Sequence, residues 1–158
     1  MRIVLATDDD AAAIAEVWLR SRAAAVPAIP APVHTDDEVR HHFATVVVPS
    51  SEVWVVVEAD GEDIVALLVL DGEELDHLYV DPEHQHRGIG TALIERAKIR
   101  RPTGLSLWTF QANTGARRFY ERNGFIAVAT TDGDNEEGAP DVRYRWKPDT
   151  ATPADAAL

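Results

Sequence analysis

The segment Asp81-Pro82-Glu83-His84-Gln85-His86-Arg87-Gly88-Ile89-Gly90-Thr91 stands between an apolar run and a helical stretch. That placement suits an anion. The first N–H groups of a helix have no internal acceptor, and the helix dipole adds positive potential there. Gly88 and Gly90 let an anion approach the backbone, and Arg87 supplies a fixed charge for an oxygen. The segment lacks the Gly-Lys-Ser/Thr ending of a Walker loop. It is also not a dinucleotide fingerprint: the third small position is Leu93, and the position for an acidic ribose partner falls near Phe110.

Other reactive side chains are few. There is no cysteine, which excludes disulfides, a thiol nucleophile and cysteine-ligated zinc. His41 and His42 are adjacent, and neighbours on a helix diverge; His84 and His86 lack a third ligand. With His34 they read as surface or cavity-edge residues, and no metal is expected. Asp132-Gly133-Asp134-Asn135-Glu136-Glu137 lacks the spacing and terminal glutamate of a calcium loop, and reads as a solvated hairpin connection. Tyr120 is a proton donor or a core aromatic beside Phe119. Strand alternation puts Glu74 and Asp76 on the face of Leu78, and Trp108 with Phe110 on one face of a later strand, as core or as acceptor-site lining.

The elements that must hold these groups follow from patterning. A strand starts at Ile3. Thr7 or Asp8 caps a helix that carries Ile14, Val17 and Trp18 on one side. Residues 26–33 hold three prolines and form a loop, and Thr35-Asp36-Asp37-Glu38 is a capping box opening a helix to about Ala44. Runs at 53–58, 64–70 and 74–80, separated by Asp60-Gly61 and Asp71-Gly72, predict an antiparallel meander. A helix from Gly88 to Arg100, a strand at 105–109, a helix at 114–122 ended by Asn123-Gly124, and strands at 125–129 and 142–146 complete the order. This is one α/β domain over 1–148, with a mixed sheet and flanking helices; 149–158, rich in Ala, Thr, Pro and Asp, reads as a disordered tail.

Fifteen basic and 27 acidic residues give a net charge of -12, which argues against nucleic-acid binding and favours cationic partners or simple solubility. No apolar stretch approaches the ~20 residues of a membrane span, and the N-terminus is not a signal peptide. A cytoplasmic protein is expected.

Gln85, Gly88 and Gly90 match the Gln/Arg-x-x-Gly-x-Gly/Ala signature of the GNAT superfamily of N-acetyltransferases, and the segment Asn113 to Phe125 resembles a second family motif. The resemblance covers about residues 1–147. It implies a mostly antiparallel mixed sheet in which the parallel strands Glu74–Val80 and Leu105–Thr109 splay apart, the acyl-CoA N-acyltransferase-like arrangement. It implies acetyl-CoA as cosubstrate, with pantetheine pairing to Leu78, Tyr79 and Val80 and the pyrophosphate on the amides of His86, Arg87, Gly88, Ile89, Gly90 and Thr91 behind Gln85. Asn113 would contact the pantetheine arm, Ala116 and Phe119 would line its channel, and Tyr120 would protonate the departing thiolate. The N–H of Val80 would face the developing oxyanion. Glu74 matches the base position of some members, leaving Glu74, Asp76 or water as base. Other members place a glutamate on the following strand, where this chain has Trp108. A small-molecule or peptide amine is the implied acceptor, and a homodimer the implied assembly. A non-catalytic acyl-CoA sensor on the same fold is the alternative.

Overall fold

The computed structural model describes residues 1–149. All of the expected tail except Asp149 lies outside the described residues. The chain runs β1 (Arg2–Leu5), α1 (Ala11–Ala25), α2 (Asp36–His42), α3 (Val48–Ser50), β2 (Glu52–Val57), β3 (Ile64–Asp71), β4 (Glu74–Val80), α4 (Ile89–Arg100), β5 (Leu105–Phe110), α5 (Thr114–Arg122), β6 (Ile126–Thr131) and β7 (Asp141–Trp146).

Helix starts follow local chemistry. Thr35 and Glu38 exchange the expected capping-box bonds, at 3.1 and 2.8 Å. At the first helix the Asp10 carboxylate accepts from the Thr7 N–H (2.8 Å), and Asp8–Asp10 form a 3₁₀ turn before α1. The second helix does not stop at Ala44: a π-helical turn over Phe43–Val47 carries it into α3. Its Phe43 and Val47 are buried, so tertiary packing extends it past its predicted end.

The seven strands lie in the order β1-β2-β3-β4-β5-β7-β6, antiparallel except for β4 and β5. β3 is buried on both faces. Leu68 and Leu70 join the core under α4 and α5, while Leu67 and Val69 join the core under α1 and α2. The mixed sheet with helices on both faces is the expected architecture.

The parallel pair β4–β5 has one bridge, Glu74 with Ser106, supported by Ser106 N–H donating to Glu73 O at 2.9 Å. Beyond that point the strands part. A bulge in β4 sets the side-chain faces: His77 pairs with Val69 but Leu75 with Leu70, which leaves Asp76 extra. Leu75 and Leu78 therefore both pack toward α4. Glu74 is thrown onto the opposite face, where it meets Arg143. The expected sharing of a face by Glu74 and Leu78 is thus corrected: one inserted residue reverses the parity of the alternation.

Candidate active site

The site is the opening between β4 and β5. Asp81 N–H donates to Val65 O (2.8 Å), so residue 81 faces β3. By alternation the backbone groups of Val80 and Leu78 face the opening, and those of Tyr79 face β3. This corrects the expectation that Tyr79 offers its backbone to pantetheine; its peptide groups belong to the sheet. The Val80 carbonyl accepts from Ser21 Oγ (3.1 Å) and Gln85 Nε2 (3.2 Å), which ties α1 and the glycine-rich segment to the same strand end. The Val80 N–H is left in the opening. Arg20 holds Asp81 through Nε (2.9 Å) and Nη2 (2.5 Å), fixing the turn into the cradle.

The cradle itself has the two glycines for different reasons. Gly88 caps α4 in the left-handed region (φ 81°), and a Cβ there would stand in open space. A Cβ on Gly90 would meet Phe119 Cε1 and Cζ at 3.2 Å. Gly90 therefore lets α5 close against α4, bringing the two sequence segments together. The helical ladder begins with Ala92 N–H donating to Gly88 O (3.1 Å), so the amides of Ile89, Gly90 and Thr91 are the unbonded first turn. Gln85, His86, Arg87 and Thr91 are exposed around it, and His86 also has a positive φ of 65°. Open space before Gly88, free first-turn amides and the Arg87 guanidinium fit a pyrophosphate.

Asn113 caps α5 by accepting from Ala116 N–H (3.2 Å). Ala116 and Phe119 pack partly buried against the core. Tyr120 is buried between Phe119, Phe125 and Tyr144, with ring centroids at 5.2, 5.5 and 6.2 Å. Its hydroxyl has no hydrogen-bond partner among the described residues, and burial, with Tyr79 nearby, pushes its pKa up. The Tyr120 hydroxyl is thus protonated and free to donate.

Glu74 has a different setting from the one expected of a free base. Both its oxygens accept from Arg143 of β7, and Arg143 lies 5.3 Å from the Trp108 ring centroid. Its lone pairs are committed. Asp76 is exposed; partial burial, then Asp71 and Glu74, raise its pKa.

At the end of β5, a cavity of about 570 Å³ is lined by Trp108, Thr109, Phe110, Thr131, Asp134, Asn135, Glu137 and Asp141. Trp108 and Phe110 therefore line a cavity rather than packing as simple core, and Trp108 is 48% exposed. The acidic 132–141 connection, expected only as a solvated loop, forms one wall. His34, at 3.1 Å from Glu136, bridges the α1–α2 connection to it. The sequence reading missed Ser21, Arg20 and Arg22; their signal was the placement of Ser21 and Arg22 at i+3 and i+4 from Trp18, on the buried face of α1.

The sequence model of the acetyltransferase (GNAT) domain matches residues 49–127, half of the chain. The peptidyl-lysine N-acetyltransferase YiaC of Escherichia coli is 33% identical over 73% of this chain and 77% of its own. The chain belongs to the GNAT family of acetyltransferases. The peptidyl-lysine N-acetyltransferase YjaB of Salmonella typhimurium is 34% identical over 55% of this chain, a match that spans 59% of that relative. In three dimensions, the apo form of YjaB from Escherichia coli superposes with a TM-score of 0.74 at 22% identity, covering 92% of this GNAT chain and 96% of that one. A GNAT acetyltransferase from Elizabethkingia anophelis, solved with acetyl-CoA bound, superposes with a TM-score of 0.57 at 20% identity, covering 65% and 79%. Among the described residues no helix is long and apolar enough to cross a membrane, and no group of three metal-type side chains is assembled.

Proposed function

We propose that this GNAT protein is an acetyl-CoA-dependent N-acetyltransferase acting on a primary amine of a small molecule or peptide, in the cytoplasm. The observation that carries the reading is the single bridge between β4 and β5, opening beside the unbonded first turn of α4. Acetyl-CoA supplies an activated acetyl thioester.

The chain's residues divide the remaining work. Ile89, Gly90 and Thr91, with Gly88, Arg87, His86 and Gln85 before them, hold the pyrophosphate. Leu78 and Val80 align the pantetheine arm with Asn113, Ala116 and Phe119 along its channel. Val80 N–H donates toward the oxygen that gains charge. Tyr120 donates a hydrogen bond to the sulfur. Because burial raises the phenol well above an ordinary thiol of pKa about 8.5, Tyr120 keeps its proton and stabilises the thiolate by hydrogen bonding. Glu74 positions Arg143 beneath Trp108, and the amine loses its proton through cavity water or Asp76.

Thiol release from acetyl-CoA across a panel of amino acids, polyamines, aminoglycosides and lysine peptides tests the reading, with acetyl-CoA affinity measured alongside. Turnover with any amine supports it. Tight acetyl-CoA binding without turnover on every amine would establish the sensor alternative. Self-association along the free edge of β6, where Ile126 and Val128 are exposed, is the assembly we propose, and sedimentation tests it.

A further inference from the structure

Beside the opening lies a buried cluster of side chains that the transfer chemistry above leaves unused. Trp18 and Arg22 are four residues apart on α1, so they leave the same face. They are 7% and 5% exposed. The Arg22 guanidinium lies 4.9 Å from the Trp18 ring centroid and 5.9 Å from that of Phe110, and Nη2 donates to Pro30 O at 3.1 Å. Two donors here, Arg22 Nε and Trp18 Nε1, are buried without any hydrogen-bond partner among the described residues. No carboxylate forms an ion pair with Arg22 among them.

The groups around it leave two donors without an acceptor: Tyr79 hydrogen-bonds with Arg22, but nothing among the described residues takes Arg22 Nε or Trp18 Nε1. Tyr79 and His77 meet the Trp18 ring edge-on, with centroids at 6.0 and 6.4 Å. Burial holds His77 neutral, with His42 and Arg22 acting in the same direction. Burial raises the Tyr79 hydroxyl, which Arg22 opposes through its charge and a hydrogen bond and Glu137 reinforces. A buried cation without a counter-charge is costly, and buried donors are almost always satisfied. A cation and two orphan donors in one aromatic cluster call for an anion with more than one acceptor oxygen. A carboxylate fits: its oxygens match the guanidinium fork and take the indole N–H. Phe110 places this cluster next to the cavity it lines, whose Asp134 and Glu137 suit the ammonium end of the same molecule.

We propose that Arg22 and Trp18 bind a carboxylate of the acceptor, so that the acceptor is an amino acid carrying its free carboxylate rather than a plain polyamine. This rests on the acetyltransferase reading. The test uses matched pairs that differ only in the carboxylate: lysine against cadaverine, and ornithine against putrescine. Each is measured by thermal shift and calorimetric binding, and separately by thiol release from acetyl-CoA. The wild-type protein is expected to bind lysine and ornithine at least about tenfold more tightly than the diamines, as a charge-assisted fork implies. Arg22→Met should bring the ratio close to one. Arg22→Lys, which keeps charge and bulk but not the fork, should retain only part of it. Trp18→Phe, which removes one donor and keeps an aromatic ring, should lower it several-fold. Equal or tighter diamine binding by the wild type, no binding of either class, or a ratio unmoved in all three variants would overturn the proposal. Preferential lysine binding without turnover would uphold the carboxylate site and remove the acetyltransferase reading instead.

Discussion

Tyr120 shows how a residue's surroundings decide its chemistry. The motif places it, and burial raises its phenol, which would keep its proton while donating a hydrogen bond in the proposed transfer. Tyr120→Phe should lower kcat by the value of a hydrogen bond to a charged group, about 1.5–3 kcal/mol or roughly 10- to 150-fold. The loss should be uniform with pH up to about 10, because the phenol does not titrate below its ordinary range. Initial rates across pH check this; an alkaline limb present in the wild type and absent in the variant would contradict it. Gly88 offers a second residue-scale expectation. Ala at φ 81° costs about 1 kcal/mol, roughly 2–4 °C in Tm, and its Cβ points into the pyrophosphate space. Gly88→Ala should therefore raise KM for acetyl-CoA by far more than its small melting shift suggests. Both residues were legible in the sequence as residue types at the right spacing. Arg22 was not, because a buried arginine on an apolar helix face looks like any charge on a helix until its missing partner is seen.

At the scale of elements, sequence patterning located the strands and helices, and the capping box at Thr35 is present as read. Two features escaped it for physical reasons. The bulge at Asp76 is one extra residue in a strand whose composition carries no mark of it, and it sent Glu74 to the other face. The continuation of α2 depends on Phe43 and Val47 finding a core built by distant strands. The packing of α1 and α2 on β4 also makes a pH prediction. His77 lies among Trp18, Phe43 and Tyr79, and burial lowers its pKa from 6.5 to about 4. The unfolded chain then binds this proton first as pH falls, so stability is full above about 6.5 and is lost progressively toward 4, by up to about 3 kcal/mol. Thermal melts at stepped pH should show His77→Phe losing less over that window than the wild type; parallel losses would reject the assignment.

For the whole molecule, the parting of β4 from β5 organises everything else. α4 and α5 close one side of the opening, joined by Gly90 against Phe119, and α1 with the 132–141 connection closes the other. The two sequence motifs therefore meet at Gly90 and Phe119 on one side of the opening. The cavity beside Trp108 is assembled from segments far apart in the chain, and no local pattern foretold their meeting. Its charge follows the net -12 of the molecule, with Asp134 and Glu137 making no ion pair among the described residues. A cationic acceptor should accordingly show a KM that rises with ionic strength, and Asp134→Asn with Glu137→Gln should flatten that dependence while leaving KM for acetyl-CoA unchanged. The central claim is that the opening and the first turn of α4 together hold acetyl-CoA. An amide-resolved NMR titration with acetyl-CoA tests it most directly. The account predicts that Leu78 and Val80 shift together with Ile89, Gly90 and Thr91, saturating at one concentration. Saturable binding that leaves those five amides unmoved would contradict it.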